Sequence, residues 1–246
     1  MVSKCYAEYL GDCEGNIEFE HFIPKSLQNM FGAVDVSGLA WQEGDTKKMQ
    51  PGSYANARVI CKRHHDQLDG LDGVALDYFR NFMLLAGQRQ IRTGEMGRIQ
   101  DIKSVLNGRA LEKWFMKTIC GAIAAKAIDG VNKVPQQWTD GLFAKIPWPE
   151  DWAIHVSMGD WIVKPEDARF KIEFHWASDH SLNGLVIKAF SVETTFSIVP
   201  LDLDENNAHI MRRPDILVAG IERPNGGEVL DGLRAGQPII LKLKWE

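Results

Sequence analysis

Within its first 65 residues the chain collects side chains that do chemistry when they are brought together. Residues 56–65 read Asn-Ala-Arg-Val-Ile-Cys-Lys-Arg-His-His, so eight residues separate Asn56 from His65, and Cys61 and His64 sit between them at a two-residue gap. Upstream, Glu20-His21-Phe-Ile-Pro24 puts a carboxylate and an imidazole at the entry to an apolar turn closed by proline, and Cys5 and Cys13 come before that. Thiolates and imidazoles are the ligands of structural zinc, which takes four of them in a tetrahedron. Cys61-x2-His64 is a suitable half-site, and Cys5 and Cys13 can supply the other half. Asp12 and Glu14, which flank Cys13, can also contribute oxygen ligands. Without a metal, His64 is simply a surface residue.

Over about residues 5–70 this pattern resembles the HNH endonuclease family, whose fold is the ββα-metal finger. In that family a short zinc knuckle precedes a strand ending in an acidic residue and a histidine. Here the knuckle is Cys-x7-Cys in place of the usual Cys-x2-Cys, and His64 stands where the family commonly has cysteine. The resemblance implies a structural Zn2+ on Cys5, Cys13, Cys61 and His64. It implies His21 as general base, with Asn56 holding its imidazole in the productive tautomer or touching the metal. It also implies a catalytic Mg2+ or Mn2+ bound by Glu20 and His65, with phosphate oxygens and waters completing the shell. The expected function is hydrolysis of phosphodiester bonds in nucleic acid, DNA ahead of RNA. Asn29 lies only eight residues after His21, too close for the finger, so Asn56 is preferred. A reading from a different class is a non-catalytic zinc-binding module that contacts nucleic acid or a protein partner. The trio His21, Asn56 and His65 separates the two, because a purely structural knuckle has no reason to carry it.

The elements that must position these groups follow in order. The 34 residues between His21 and Asn56 are broken by Gly38, Gly44, Pro51 and Gly52 and read as a loop-rich insertion with short strands at Val34–Val36 and Leu39–Trp41. Helical spacing of Leu76, Phe79, Phe82 and Met83 predicts a helix from Val74 to Arg92. A second helix is expected from Arg109 to about Ala127, capped by Asn107, with Leu111, Trp114, Phe115, Ile119 and Ala122 on its apolar face. Cys120 falls in that helix with no partner at ligand spacing and reads as a core residue. Residues 134–152, dense in proline and tryptophan, read as an ordered connector. Period-two patterns then predict strands at Phe170–Phe174, Leu185–Ala189, Phe196–Val199 and Ile239–Trp245, with turns at Asn183-Gly184 and Asn225–Gly227. His155, His175, His180 and His209 share no metal spacing and read as strand and loop residues. The expected fold is α+β, with an HNH-like zinc and catalytic module at 1–72, a helical region packed on it at 73–147 and an antiparallel β-rich domain at 148–246.

Composition bounds the rest. A 246-residue chain with 45% hydrophobic and 25% charged residues is that of a globular protein able to bury a large core. Four cysteines do not suggest a disulfide scaffold. There is no apolar leader-like stretch at the N-terminus and no apolar run long enough for a membrane span. These features lead us to expect a cytoplasmic protein with no membrane partner. The net charge of −5 is unevenly distributed: residues 1–70 carry −3, residues 71–147 carry +4 and residues 148–246 carry −6. A basic middle suits a phosphate backbone.

Overall fold

In a computed structural model, residues 4–32, 34–37, 47–49, 56–92, 103–128, 130–158, 162–163, 170–179, 181–190, 192–201, 209–221 and 239–245 are described. Its centre is a helix, α4 (Gly108–Ala124), with Asn107 as N-cap accepting a hydrogen bond from the Ala110 N–H at 2.8 Å. Its apolar residues are not confined to one face. Leu111, Trp114, Phe115, Met116, Ile119, Cys120, Ala122 and Ile123 are all buried, the mark of a helix enclosed by other elements rather than lying on them. Those elements are α3 (Leu71–Arg92), α5 (Gln136–Leu142), a two-stranded sheet, and two larger sheets.

The two-stranded sheet pairs β1 (Ile17–His21) antiparallel with β4 (Asn56–Cys61), which runs directly into α2 (Lys62–Gln67). Between its strands come α1 (Lys25–Phe31), β2 (Val34–Ser37) and β3 (Lys47–Met49). The first larger sheet has the order β11-β6-β10-β9-β8-β2-β3, with β6 (Ala153–Met158), β8 (Phe170–Trp176), β9 (Leu182–Ala189), β10 (Val192–Ser197) and β11 (Ile210–Arg212). The second is β5-β13-β12-β7, from β5 (Lys103–Asn107), β7 (Ile162–Val163), β12 (Ile216–Ile221) and β13 (Ile239–Lys244).

The fold is α+β with a β-rich C-terminal part, but two expectations are corrected. The sheets are mixed rather than antiparallel: β2 lies parallel to β8, β5 to β13 and β7 to β12. Strands also cross both expected domain boundaries, since β2 and β3 from the insertion join the C-terminal sheet and β5 from the middle joins β13. The strand at 34–36 and the helices at 74–92 and 109–127 are present within a few residues. The connector at 134–152 contains α5, and the strand expected at 196–199 runs instead from Val192 to Ser197. Asn183 and Gly184 lie inside β9, not in a turn. There Gly184 lets a backbone approach closely, because a Cβ would stand 2.1 Å from the Phe196 carbonyl oxygen. Leu39–Trp41, Asn225–Gly227 and His180 lie outside the described residues. Among those described, no helix is long and apolar enough to cross a membrane.

Candidate metal centre and adjacent histidine site

Cys5, Cys13, Cys61 and His64 come together, their ligand atoms all within 4.8 Å of one another. The wide Cys-x7-Cys interval closes because its residues form one turn of 3-10 helix at Glu8–Leu10, followed by Gly11 at φ 78°, which reverses the chain. Backbone hydrogen bonds fix this loop to the strand and helix it serves. The Tyr6 N–H donates to the carbonyl of Val59, the residue skipped where the β1–β4 register shifts, and Lys62 and Arg63 donate to Asn16 and Glu14. Cys61 ends β4 and is the N-cap residue of α2, so His64 arrives one helical turn later on the same side.

His64 is fully buried, and its Nδ1 faces the sulfurs of Cys61, Cys5 and Cys13 at 3.2, 3.4 and 3.7 Å. A zinc ion with ordinary bond lengths to sulfur and nitrogen sets a tetrahedral S···N edge of about 3.6 Å. A Cys3His cluster of this size can hold a metal ion and is consistent with zinc. Its second ring nitrogen, Nε2, meets Asp12 Oδ1 at 2.9 Å. Asp12 is therefore a carboxylate behind the ligand and not a ligand itself, which fixes the tautomer that leaves Nδ1 free. Although desolvation opposes it, the contact with His64 and the charges of Lys145 and Arg63 hold the Asp12 carboxyl below its usual range. Burial raises the Cys5 thiol and pushes Cys13 up to about 12. Cys61 goes the other way: burial opposes ionisation, but hydrogen bonds from the His64 and Glu14 backbone outweigh it. Phe143, just after α5, covers the cluster with its ring 4.7 Å from that of His64.

The other expected site residues lie on the same β1–β4–α2 unit. His21 and Asn56 are directly opposed across the two strands, both half-buried. His65, next to His64 on α2, is half-buried and close enough to His21 and Glu20 to influence both electrostatically. Desolvation lowers the basicity of His21; Asp72 opposes this, while Lys117, Lys25 and His65 reinforce it. A lowered value keeps the imidazole neutral to lower pH.

Strand alternation turns Glu20 to the opposite face of the ribbon, toward α4. It is 1% exposed, and its Oε1 lies 2.9 Å from Lys117 Nζ, which also meets Asp72 Oδ1 at 2.7 Å. Asp72 also accepts from Trp114 Nε1 at 3.1 Å. Burial raises the Glu20 carboxyl, while its two carboxylate partners keep Lys117 charged despite burial. Neither Glu20 oxygen makes a hydrogen bond of good geometry. Gly121 makes room for this arrangement: a Cβ there would come within 2.9 Å of Phe22 Cβ and 3.5 Å of Glu20 Cγ.

Asp72 and Lys117 have no local motif to announce them. The available signal was a lysine set in the apolar run from Trp114 to Ala122, a position that only a paired charge can occupy. Cys120 is a buried core thiol, raised by burial, as its isolation suggests. Among the described residues the Cys3His cluster is the one group of three or more convergent metal-ligand side chains. His155, His175 and His209 belong to none. No protein-family model, no curated protein and no solved structure matches this chain.

Proposed function

We propose that the chain is an HNH-type endonuclease hydrolysing phosphodiester bonds in nucleic acid, with DNA as the preferred substrate. The direct pairing of His21 with Asn56, on a strand that runs into the helix bearing His64 and His65, carries the reading. A structural Zn2+ on Cys5, Cys13, Cys61 and His64 would tie the N-terminal loop to this unit, where binding contributes on the order of 10 kcal/mol to folding.

His21, neutral at physiological pH, takes the proton from the water that attacks phosphorus. Asn56, opposite it, holds the ring in orientation. The resemblance assigns Glu20 and His65 to a divalent cation such as Mg2+ or Mn2+, which would supply charge against the phosphorane and the leaving oxygen. Glu20, turned away from the His21 face and paired with Lys117, does not fit that role, which leaves His65 as the cation's ligand on the chain.

The ion pair of Glu20 with Lys117 favours the second reading, a zinc module that binds nucleic acid or a protein without cutting it. Plasmid incubation decides between them. Nicking or linearisation in Mg2+ or Mn2+, abolished by EDTA and by His21→Ala, is the outcome expected of the nuclease. Binding without cutting under every condition assigns the chain to the second class.

A further inference from the structure

The ribbon face that carries His21 and Asn56 continues two residues along each strand to Phe19 and Arg58, themselves directly opposed. Side chains two apart on a strand share a face at about 6.8 Å spacing. Phe19 is 50% exposed, and the Arg58 guanidinium lies over its ring, 4.8 Å from the centroid. A large aromatic ring on the open side of a ribbon is costly to leave in water. No carboxylate among the described residues pairs with Arg58, unlike most cations near the two sites. Lys62 has Asp66, Arg63 has Asp12 and Glu14, and Lys117 has Glu20 and Asp72. Lys25 follows His21 by four residues, is exposed, and is felt electrostatically by His21. The candidate base therefore shares its ribbon face with a guanidinium stacked on an aromatic ring, and the Lys25 ammonium acts on it electrostatically.

We infer that Phe19 and Arg58 form a binding subsite for an unpaired nucleotide next to the scissile phosphate, so that the substrate is single-stranded at the point of cutting. This rests on the nuclease reading above and adds its substrate class. A planar ring offers stacking to any base, but in a duplex each base face is already covered by its neighbours. A stacked aromatic with a cation beside it is the recurring platform for single strands. The spacing from Phe19 to His21 corresponds to a step of roughly one nucleotide along an extended strand. The stacked base would thus lie adjacent to the phosphate that His21 addresses, with Arg58 and Lys25 on neighbouring phosphates.

The test measures binding separately from cutting, using the His21→Ala protein and short dye-labelled oligonucleotides: a mixed-sequence single strand, the same strand with abasic sites, and its blunt duplex. DNA and RNA versions of the single strand identify the sugar. The intact single strand should bind more tightly than either the abasic strand or the duplex. Phe19→Ala should weaken single-strand binding roughly five-fold to hundred-fold. Phe19→Trp should restore it, and Arg58→Gln should reduce the salt dependence by about one phosphate contact. Phe19 is exposed, so an unchanged melting temperature in these variants assigns the loss to binding. Equal binding of intact and abasic strands, or no effect of Phe19→Ala, overturns this inference and leaves the nuclease reading standing. Binding to none of the probes overturns both.

Discussion

His64 presents one ring nitrogen to three thiols and the other to Asp12, so the carboxylate decides which tautomer faces the thiols. Removing such a partner usually costs about 10-fold to 100-fold in metal affinity without removing a ligand. Asp12→Ala should therefore remain zinc-loaded when isolated but lose zinc to a competing chelator at correspondingly lower concentrations. Cys61→Ser removes a ligand outright and should lose both zinc and thermal stability, read by elemental analysis and melting. His64 and His65 are neighbours on α2, pointing about 100° apart, and cannot exchange roles. His64→Cys should keep zinc, because a thiolate replaces the imidazole. His65→Ala should keep zinc and fold yet lose nicking; if it loses zinc while His64→Ala stays folded and inactive, the assignment of the two histidines is reversed.

At the level of elements, the parts legible in the sequence were those whose signal is local. Cys61-x2-His64 requires only a strand that ends in a helix, and the apolar spacing of α3 and α4 is internal to each helix. The parts that were missed depend on distant partners. β5 is five residues long, lacks a strong strand pattern and exists because β13 pairs with it from more than 130 residues away. α1 and α5 have seven residues each and no side-chain cap. Lys117 meets both Glu20 and Asp72 only because α4 packs against β1 and α3. Gly184 shows the same limit: Asn-Gly is strong turn chemistry, yet the glycine is needed where β9 passes the Phe196 carbonyl. Gly184→Ala should destabilise the protein by more than the ~1 kcal/mol of an ordinary glycine replacement, because the obstacle is backbone and cannot rotate away. Urea unfolding would measure it, and an unchanged midpoint would mean that β9 and β10 can separate at no cost.

The whole molecule is held together by α4, which touches the β1–β4 ribbon on one side and β9, β10 and β13 on others. Buried groups at this junction make stability depend on pH. His155, on β6, is 3% exposed with Nδ1 unpartnered; burial and, secondarily, Arg212 lower its pKa to about 4. Unfolded, it binds a proton near pH 6.5, so between about pH 6.5 and 4 unfolding takes up a proton and stability falls as pH falls. The loss amounts to a few kcal/mol at most, is absent above pH 6.5, and should shrink in His155→Gln when urea midpoints at pH 7.5 and 5 are compared. Glu112, also buried, ties α4 to the segment after β11 through Arg213 Nε at 2.8 Å and to β6 through the Ile154 N–H at 3.1 Å.

Cutting the chain after Pro147 tests whether the two histidines and the metal cluster can stand without the rest. Such a cut removes β8 from β2, β13 from β5, and the sheet against which Phe115 packs on Phe196 with ring centroids 5.9 Å apart. It also strands Glu112 without Arg213. Uncovering even a few large side chains costs about 1.5–3 kcal/mol each, and a whole domain has only about 5–15 kcal/mol to lose. The fragment should aggregate, show no cooperative thermal transition and cut nothing, even with zinc supplied. A soluble, zinc-loaded fragment with a sharp melt would show instead that the ribbon, α2, the Cys3His cluster and α4 fold together without the C-terminal strands.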